Sequence, residues 1–219
     1  MATLERADAR RNRARLIDTT AVLFAESGID VSVREIAREA RVGVATLYRH
    51  FPTRDDLVDA VLQAAFDELT AAGARALAAE DSWAGLTGLV EETLSLHARN
   101  RGLRDAFDTR RGRERAAAMR ADIWPVFAEL VERAQAQGAL RRDFTAEDVW
   151  LLFWAADAVI ERTAAVAPDL WRRQLTLMLD GLRAPATSPL PHPSLSRPQL
   201  EQVGRRPRRS SQRSVSGSD

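Results

Sequence analysis

The residues best suited to chemistry in this chain follow a tight turn. Arg41-Val42-Gly43 interrupts an apolar helical pattern, and the seven residues after it include Thr46, Tyr48, Arg49 and His50. A packed helix has no use for such a row of hydroxyl, guanidinium and imidazole groups. A helix laid in the major groove of duplex DNA does, because base edges and phosphates are read through donors and acceptors. The stretch Ser32 to Asp59, SVREIAREARVGVATLYRHFPTRDDLVD, therefore reads as two short helices joined by a turn and followed at once by a third. That is a helix-turn-helix, whose second helix fits the groove.

A second constellation competes with it. Asp55-Asp56-Leu57-Val58-Asp59 spells DDxxD, the spacing with which helical prenyl-diphosphate enzymes hold Mg²⁺ and a diphosphate. Such a site needs a second acidic cluster facing the first, and the sequence offers none. Acidic residues in the first turn of a helix also answer the positive end of its macrodipole, which is the simpler explanation. The three histidines, 50, 97 and 192, form no HExxH pair; there is no phosphate-binding glycine loop and no cysteine. The expectation is a binding protein without cofactor or metal rather than an enzyme.

Helix formers dominate up to residue 184 and strand-like alternation is absent, so an all-α fold is expected. The first helix spans residues 6–27, with Leu16, Thr20, Leu23 and Phe24 on one face and Gly28 as its stop. Ser32-Val33-Arg34-Glu35 is a capping box that opens the second, whose Ile36, Ala37 and Ala40 point inward. The third covers 44–50, Phe51-Pro52 breaks it, and Thr53 caps a long fourth helix to about residue 79. Further helices are expected over 82–98, 103–109, 113–137, 145–166 and 168–183. This gives a DNA-binding domain over 1–62 and a helical bundle over 63–184. The tail 185–219 holds six of the nine prolines, and six arginines against two acidic residues; its composition predicts disorder.

Hydrophobic content of 45% and charged content of 29% are ordinary for a globular protein, and the net charge is only +1. Bulk charge thus does not advertise nucleic acid, and the case rests on local placement. All 32 basic residues are arginine, which suits phosphates and guanine edges but follows equally from GC-rich codon usage. No apolar run approaches the ~20 residues that span a bilayer, so the expected location is the cytoplasm.

The ordered set Leu23-Phe24, Gly28, Ile36-Ala37, Ala40, Val42, Thr46-Leu47-Tyr48, His50-Phe51, Arg54 and Leu57 resembles the tetracycline-repressor (TetR) family of bacterial transcription regulators. The resemblance implies an all-α homodimer, with an N-terminal domain that binds a palindromic double-stranded operator and a C-terminal domain that dimerises and senses a ligand. It places Val44, Ala45, Thr46 and Arg49 nearest the bases and Tyr48 and His50 on phosphates. Ser32, Arg34, Gly43, Thr53 and Arg54 stand at helix starts, where free amides meet phosphate oxygens. Arg10, Arg11 and Arg13 add a basic arm. Leu47, Phe51 and Val42 are read as core. Arg41, Gly43 and Ala45 depart from the family's commonest residues, and Arg41 is expected to carry some strain if its φ is positive.

In the second part of the chain, Pro125 inside a helical pattern removes one backbone bond and is expected to open space beside Met119, Trp124 and Phe127. Trp83, His97, Phe107, Trp150 and Trp154 are candidates to line the same space, which would suit a small hydrophobic or aromatic effector. The last two helices carry more apolar surface than one core uses. Val149, Leu152, Phe153, Ala156, Val159, Ile160, Leu175, Leu179 and Leu182 are the candidate face of a two-fold four-helix interface. Such a dimer must hold its recognition helices about 34–36 Å apart to enter successive major grooves. Repression relieved by a small molecule is the expected behaviour; an activator or a ligand-independent regulator is the other reading within the class.

Overall fold

The computed structural model describes residues 2–99, 110–185 and 188–204. Among them nine helices occur: α1 (Ala2–Ser27), α2 (Val33–Glu39), α3 (Val44–His50), α4 (Arg54–Ala78), α5 (Ser82–Arg99), α6 (Arg110–Ala136), α7 (Ala146–Thr163), α8 (Leu170–Asp180) and α9 (Arg197–Gly204). The only pairing of β type among these residues is a single bridge between Leu140 and Arg183.

Local chemistry sets the boundaries of the first half. α1 stops where Gly28 takes φ 81°, a left-handed conformation that costs glycine nothing. Ser32 Oγ accepts from the Glu35 amide at 3.2 Å and starts α2. Arg41 turns the chain with φ 54°, a region that costs an L side chain roughly 1–2 kcal/mol. Thr53 and Asp56 cap α4 reciprocally: the Asp56 amide donates to Thr53 Oγ1 and the Thr53 amide to the Asp56 carboxylate. The Asp148 carboxylate receives the Thr145 amide at 2.9 Å and starts α7.

Two cores result. α1, α2, α3 and the first turns of α4 close around Leu16, Phe24, Ile36, Ala37, Leu47, Phe51 and Leu57. The rest of α4 joins α5 to α8 around Leu86, Leu94, Phe127, Leu130, Val149 and Trp171. α4 contributes residues to both cores, Leu57, Ala60 and Val61 to the first and Leu69, Ala72 and Ala76 to the second. Close approach matters most where α5 crosses the end of α4: a Cβ on Gly85 would lie 2.6 Å from the Ala76 carbonyl oxygen.

Three expectations change. Pro168 lies before α8, not in its first turn; Asp169 is the N-cap and the helix ends at Asp180. The face proposed for dimerisation is largely internal. Val149, Phe153, Ala156, Ile160 and Leu175 are buried in the chain's own core, and Leu152, Val159, Leu179 and Leu182 pack against it. Helices α5 and α6 cover that stripe of α7. The tail departs from the expected disorder over 188–204. The buried Arg141 guanidinium donates to the Ser188 carbonyl at 2.7 Å, and the Asp143 carboxylate accepts the Leu190 amide at 3.0 Å. The Ser194 hydroxyl donates to Asp148 at 2.8 Å, and Leu200 of α9 is buried. Polar groups already fixed on the bundle hold a segment whose own composition would not fold it. The expected helix over 103–109 and the end of the tail, 205–219, lie outside the described residues.

Candidate nucleic-acid interface

α3 is seated by one side chain and presents the others. Leu47 is 1% exposed against Phe51 and α1, while Tyr48 beside it is 47% exposed. Val44, Ala45 and Arg49 are also exposed and Thr46 is half-buried, so positions 44, 45, 48 and 49 form one outward side at helical spacing. Gly43 precedes α3 in extended geometry, φ −70° and ψ 145°, with no side-chain cap, which leaves the start of the helix uncluttered. Ser32 and Arg34 are exposed at the start of α2, and Thr53 is exposed at the start of α4.

Two residues expected on phosphate are less available than the sequence suggests, Arg54 because it is bonded elsewhere and His50 because one ring nitrogen is shielded. Arg54 is half-buried; one guanidinium nitrogen donates to the Val31 carbonyl at 2.7 Å and the other to the Ile29 carbonyl. Its charge is spent on the loop between α1 and α2. His50 is half-buried, and its Nε2 is shielded with no hydrogen-bond partner. In this rotamer only the other ring nitrogen is left for a phosphate. In the arm, the Arg13 guanidinium stands 5.1 Å from the centre of the Phe51 ring, a cation–π contact that docks α1 against the residue closing α3. The sequence carries no local signal for it. Arg10 is exposed and Arg11 pairs with Asp8.

The DDxxD acids serve the fold. Asp56 caps α4, Asp55 lies in its first turn, and Asp59 stands 3.8 Å from Arg115 on α6. Among the described residues no group of three His, Cys, Asp or Glu side chains could hold a metal ion, and no helix is long and apolar enough to cross a membrane.

In the bundle, a cavity of about 320 Å³ opens between α6, α7 and the tail helix. α6 supplies Arg120, Ala121 and Trp124, α7 supplies Trp150 and Trp154, and α9 closes one side with Arg197, Leu200 and Glu201. Pro125 leaves the Ala121 carbonyl, four residues earlier, without its helical partner. Trp124 and Trp150 lie nearly parallel, 6.2 Å apart at 11°. Three of the expected pocket residues, Trp124, Trp150 and Trp154, thus meet at one cavity. The others are placed elsewhere. Trp83 is buried beneath the Arg183 guanidinium, His97 Nδ1 stands 3.2 Å from Asp157 Oδ1, and Phe127 packs edge-on behind Trp150 in the core. Met119 packs against that core, and Phe107 lies outside the described residues. Arg120, outside the expected set, sits one turn before Trp124 on the same helix and lines the cavity as well. Burial pushes its guanidinium below the ordinary arginine range, and no described residue pairs with it.

Residues 16–61 match the tetR family of bacterial regulatory proteins, and residues 81–184 match the C-terminal domain of SbtR-like transcriptional regulators. A TetR transcription regulatory protein from Mycobacterium vanbaalenii is 33% identical; the match covers 82% of this chain and 99% of that one, with a TM-score of 0.61. A TetR transcriptional regulator from Streptomyces coelicolor is 28% identical over 80% of this chain and 99% of that one, with a TM-score of 0.62. An HTH-type transcriptional regulator of Staphylococcus aureus is 41% identical over 63 residues, which is 28% of this chain and only 34% of that protein.

Proposed function

The chain belongs to the TetR family of bacterial regulatory proteins, DNA-binding regulators rather than enzymes, and from that premise we propose a repressor that grips a palindromic operator as a homodimer and lets go when a small molecule binds its helical bundle. The observation that carries the DNA-facing part is the split of α3 into a buried anchor, Leu47, and an outward side of Val44, Ala45, Tyr48 and Arg49 with Thr46 at its edge. Arg49 takes a guanine through two parallel hydrogen bonds, Ala45 meets a thymine methyl, and Tyr48 donates to a phosphate. Ser32, Arg34, Gly43 and Thr53 bring helix starts to the backbone on either side.

Two such helices must enter successive grooves, which requires a partner copy. The surfaces of α7 and α8 left open once the internal stripe is packed carry Leu151, Leu170 and Leu177. We assign the two-fold contact to that outer side. An effector in the bundle then acts by differential affinity: a compound that prefers a wrongly spaced dimer draws the population away from DNA, by no more than that preference.

The test is fluorescence anisotropy on a fragment selected from the native genome for binding the purified chain. Arg49→Ala weakens the complex by about 5- to 150-fold, corresponding to ~1–3 kcal/mol for one bidentate base contact. Its melting temperature stays unchanged, because the side chain is exposed. Undiminished affinity in Arg49→Ala, Thr46→Ala and Tyr48→Phe alike would overturn the assignment of α3 as the reading helix.

A further inference from the structure

The cavity between the bundle and α9 has a composition that narrows its ligand. Its walls are indoles, yet it contains three charges. Arg197 and Glu201 stand 3.7 Å apart on α9 and offset each other. Arg197 is further occupied, with its guanidinium 5.2 Å from the centre of the Trp124 ring. Arg120 remains. It is half-buried, and among the described residues it makes no hydrogen bond or ion pair. A guanidinium partly stripped of water beside apolar walls has lost hydration without gaining a counter-charge, so an anion that supplies both donors with acceptors is favoured there. A volume of about 320 Å³ is at the small end of ligand pockets and admits one or two rings. Flat indole faces suit a flat ring.

We propose that this cavity binds a planar aromatic carboxylate of one or two rings, its carboxylate forked onto Arg120 and its ring among Trp124, Trp150 and Trp154, with α9 closing over it. This rests on the reading of the bundle as an effector domain and adds the ligand's chemical class. Because Leu200 and the Arg197–Glu201 pair form one side, ligand binding and docking of the tail helix must favour each other, each raising the other's population by the same factor.

Titration calorimetry on the full chain tests this with two probe pairs, indole-3-acetate against indole-3-acetamide and 2-naphthoate against 2-naphthamide. Each acid binds at least ten-fold more tightly than its neutral amide. Arg120→Gln removes that preference while leaving amide affinity and melting temperature as they were, and Trp154→Ala weakens acid and amide alike. The bound acid slows amide hydrogen exchange across 197–204. Equal affinity for acid and amide, a preference that survives Arg120→Gln, or no heat from any probe at millimolar concentration overturns the assignment. Anisotropy on the operator fragment, run beside it, separates the two readings. Acid-selective binding with unchanged operator affinity upholds the site and sinks ligand-relieved repression; a chain that retains no DNA fragment sinks the regulator reading alone.

Discussion

The Arg54 guanidinium donates to the Val31 carbonyl at 2.7 Å and, through its second nitrogen, to the Ile29 carbonyl. The first residue of α4 thereby holds the loop that leads into α2, and with it the angle at which α2 and α3 leave the domain. Hydrogen bonds to a charged donor contribute about 1.5–3 kcal/mol each when partly buried. Arg54→Ala is therefore expected to destabilise the chain by roughly 2–4 kcal/mol, and to weaken operator binding in proportion as the loop loosens. Thermal melting alongside anisotropy decides between roles. A residue that only touched phosphate would cost DNA affinity at an unchanged melting temperature.

That pair also marks how far sequence reasoning reaches. An arginine at a helix start suits a phosphate or a carbonyl equally, and only the neighbouring loop, 23 and 25 residues away, decides. Where signals are local the reading goes furthest: Ser32 caps α2, though without the reciprocal Glu35 bond of a full capping box, Thr53 caps α4, Gly28 stops α1 and Leu47 anchors α3. The helices of the bundle are legible for the same reason. Their facing is not, because α7 carries apolar residues on two sides. Val149, Phe153 and Ile160 face the core, while Leu151 faces out. The docked tail is least legible. Its contacts span 46 to 49 residues, and its proline-rich composition looks like that of a solvated segment. The cavity was half read: three tryptophans announce themselves by type, whereas Arg120 looks like any surface arginine until packing shields it.

Two glycines of α5 should respond oppositely to the same change. At Gly85 an added Cβ would stand 2.6 Å from the Ala76 carbonyl oxygen and 3.3 Å from the Leu130 side chain, and the backbone oxygen cannot yield. Gly85→Ala must push α5 off α4, at a cost of about 1–3 kcal/mol. At Gly88 nothing lies within 4 Å of that position. Gly88→Ala gains about 0.5–1 kcal/mol from the restricted unfolded chain and better helix propensity. Denaturant melts of both variants give the answer, and similar midpoints for the two would contradict the close crossing.

Docking of the tail should depend on acid in a defined direction. Asp143 receives Arg141 Nε at 2.6 Å and Nη2 at 2.9 Å, and the Leu190 amide at 3.0 Å. Those donors hold its carboxyl well below the usual carboxylate range, the Arg141 hydrogen bond foremost. The Arg141 bonds remain when the tail leaves, so only the Leu190 amide changes with docking, and the undocked carboxyl is itself held below the ordinary value of about 4. A carboxyl lowered further in the docked state favours docking wherever the undocked group is ionised, so the contribution is complete at neutral pH and is lost only as protons compete below about pH 4. Asp143→Asn should release the tail already at pH 7. Proteolytic nicking within 188–204 is the readout, and a tail equally resistant in Asp143→Asn would remove Asp143 from the account.

The outer side of α7 and α8 makes the last prediction. Leu177 is 58% exposed and lies two turns after Leu170, also exposed, on the same side of α8. A second copy related by a two-fold axis would cover this surface with its equivalent, so each substitution there acts twice. Leu177→Glu places one carboxylate per subunit in an apolar contact, and a charge desolvated without a partner costs several kcal/mol. Sedimentation of this variant should show monomers at concentrations where the unaltered chain is dimeric, with helical content retained because the side chain faces away from the protomer's own core. Operator affinity should then fall far more than for Arg49→Ala, since both half-sites are no longer engaged together. Val22→Glu, on an exposed position of α1, should leave the dimer intact. A dimer that persists in Leu177→Glu would move the two-fold contact to another face.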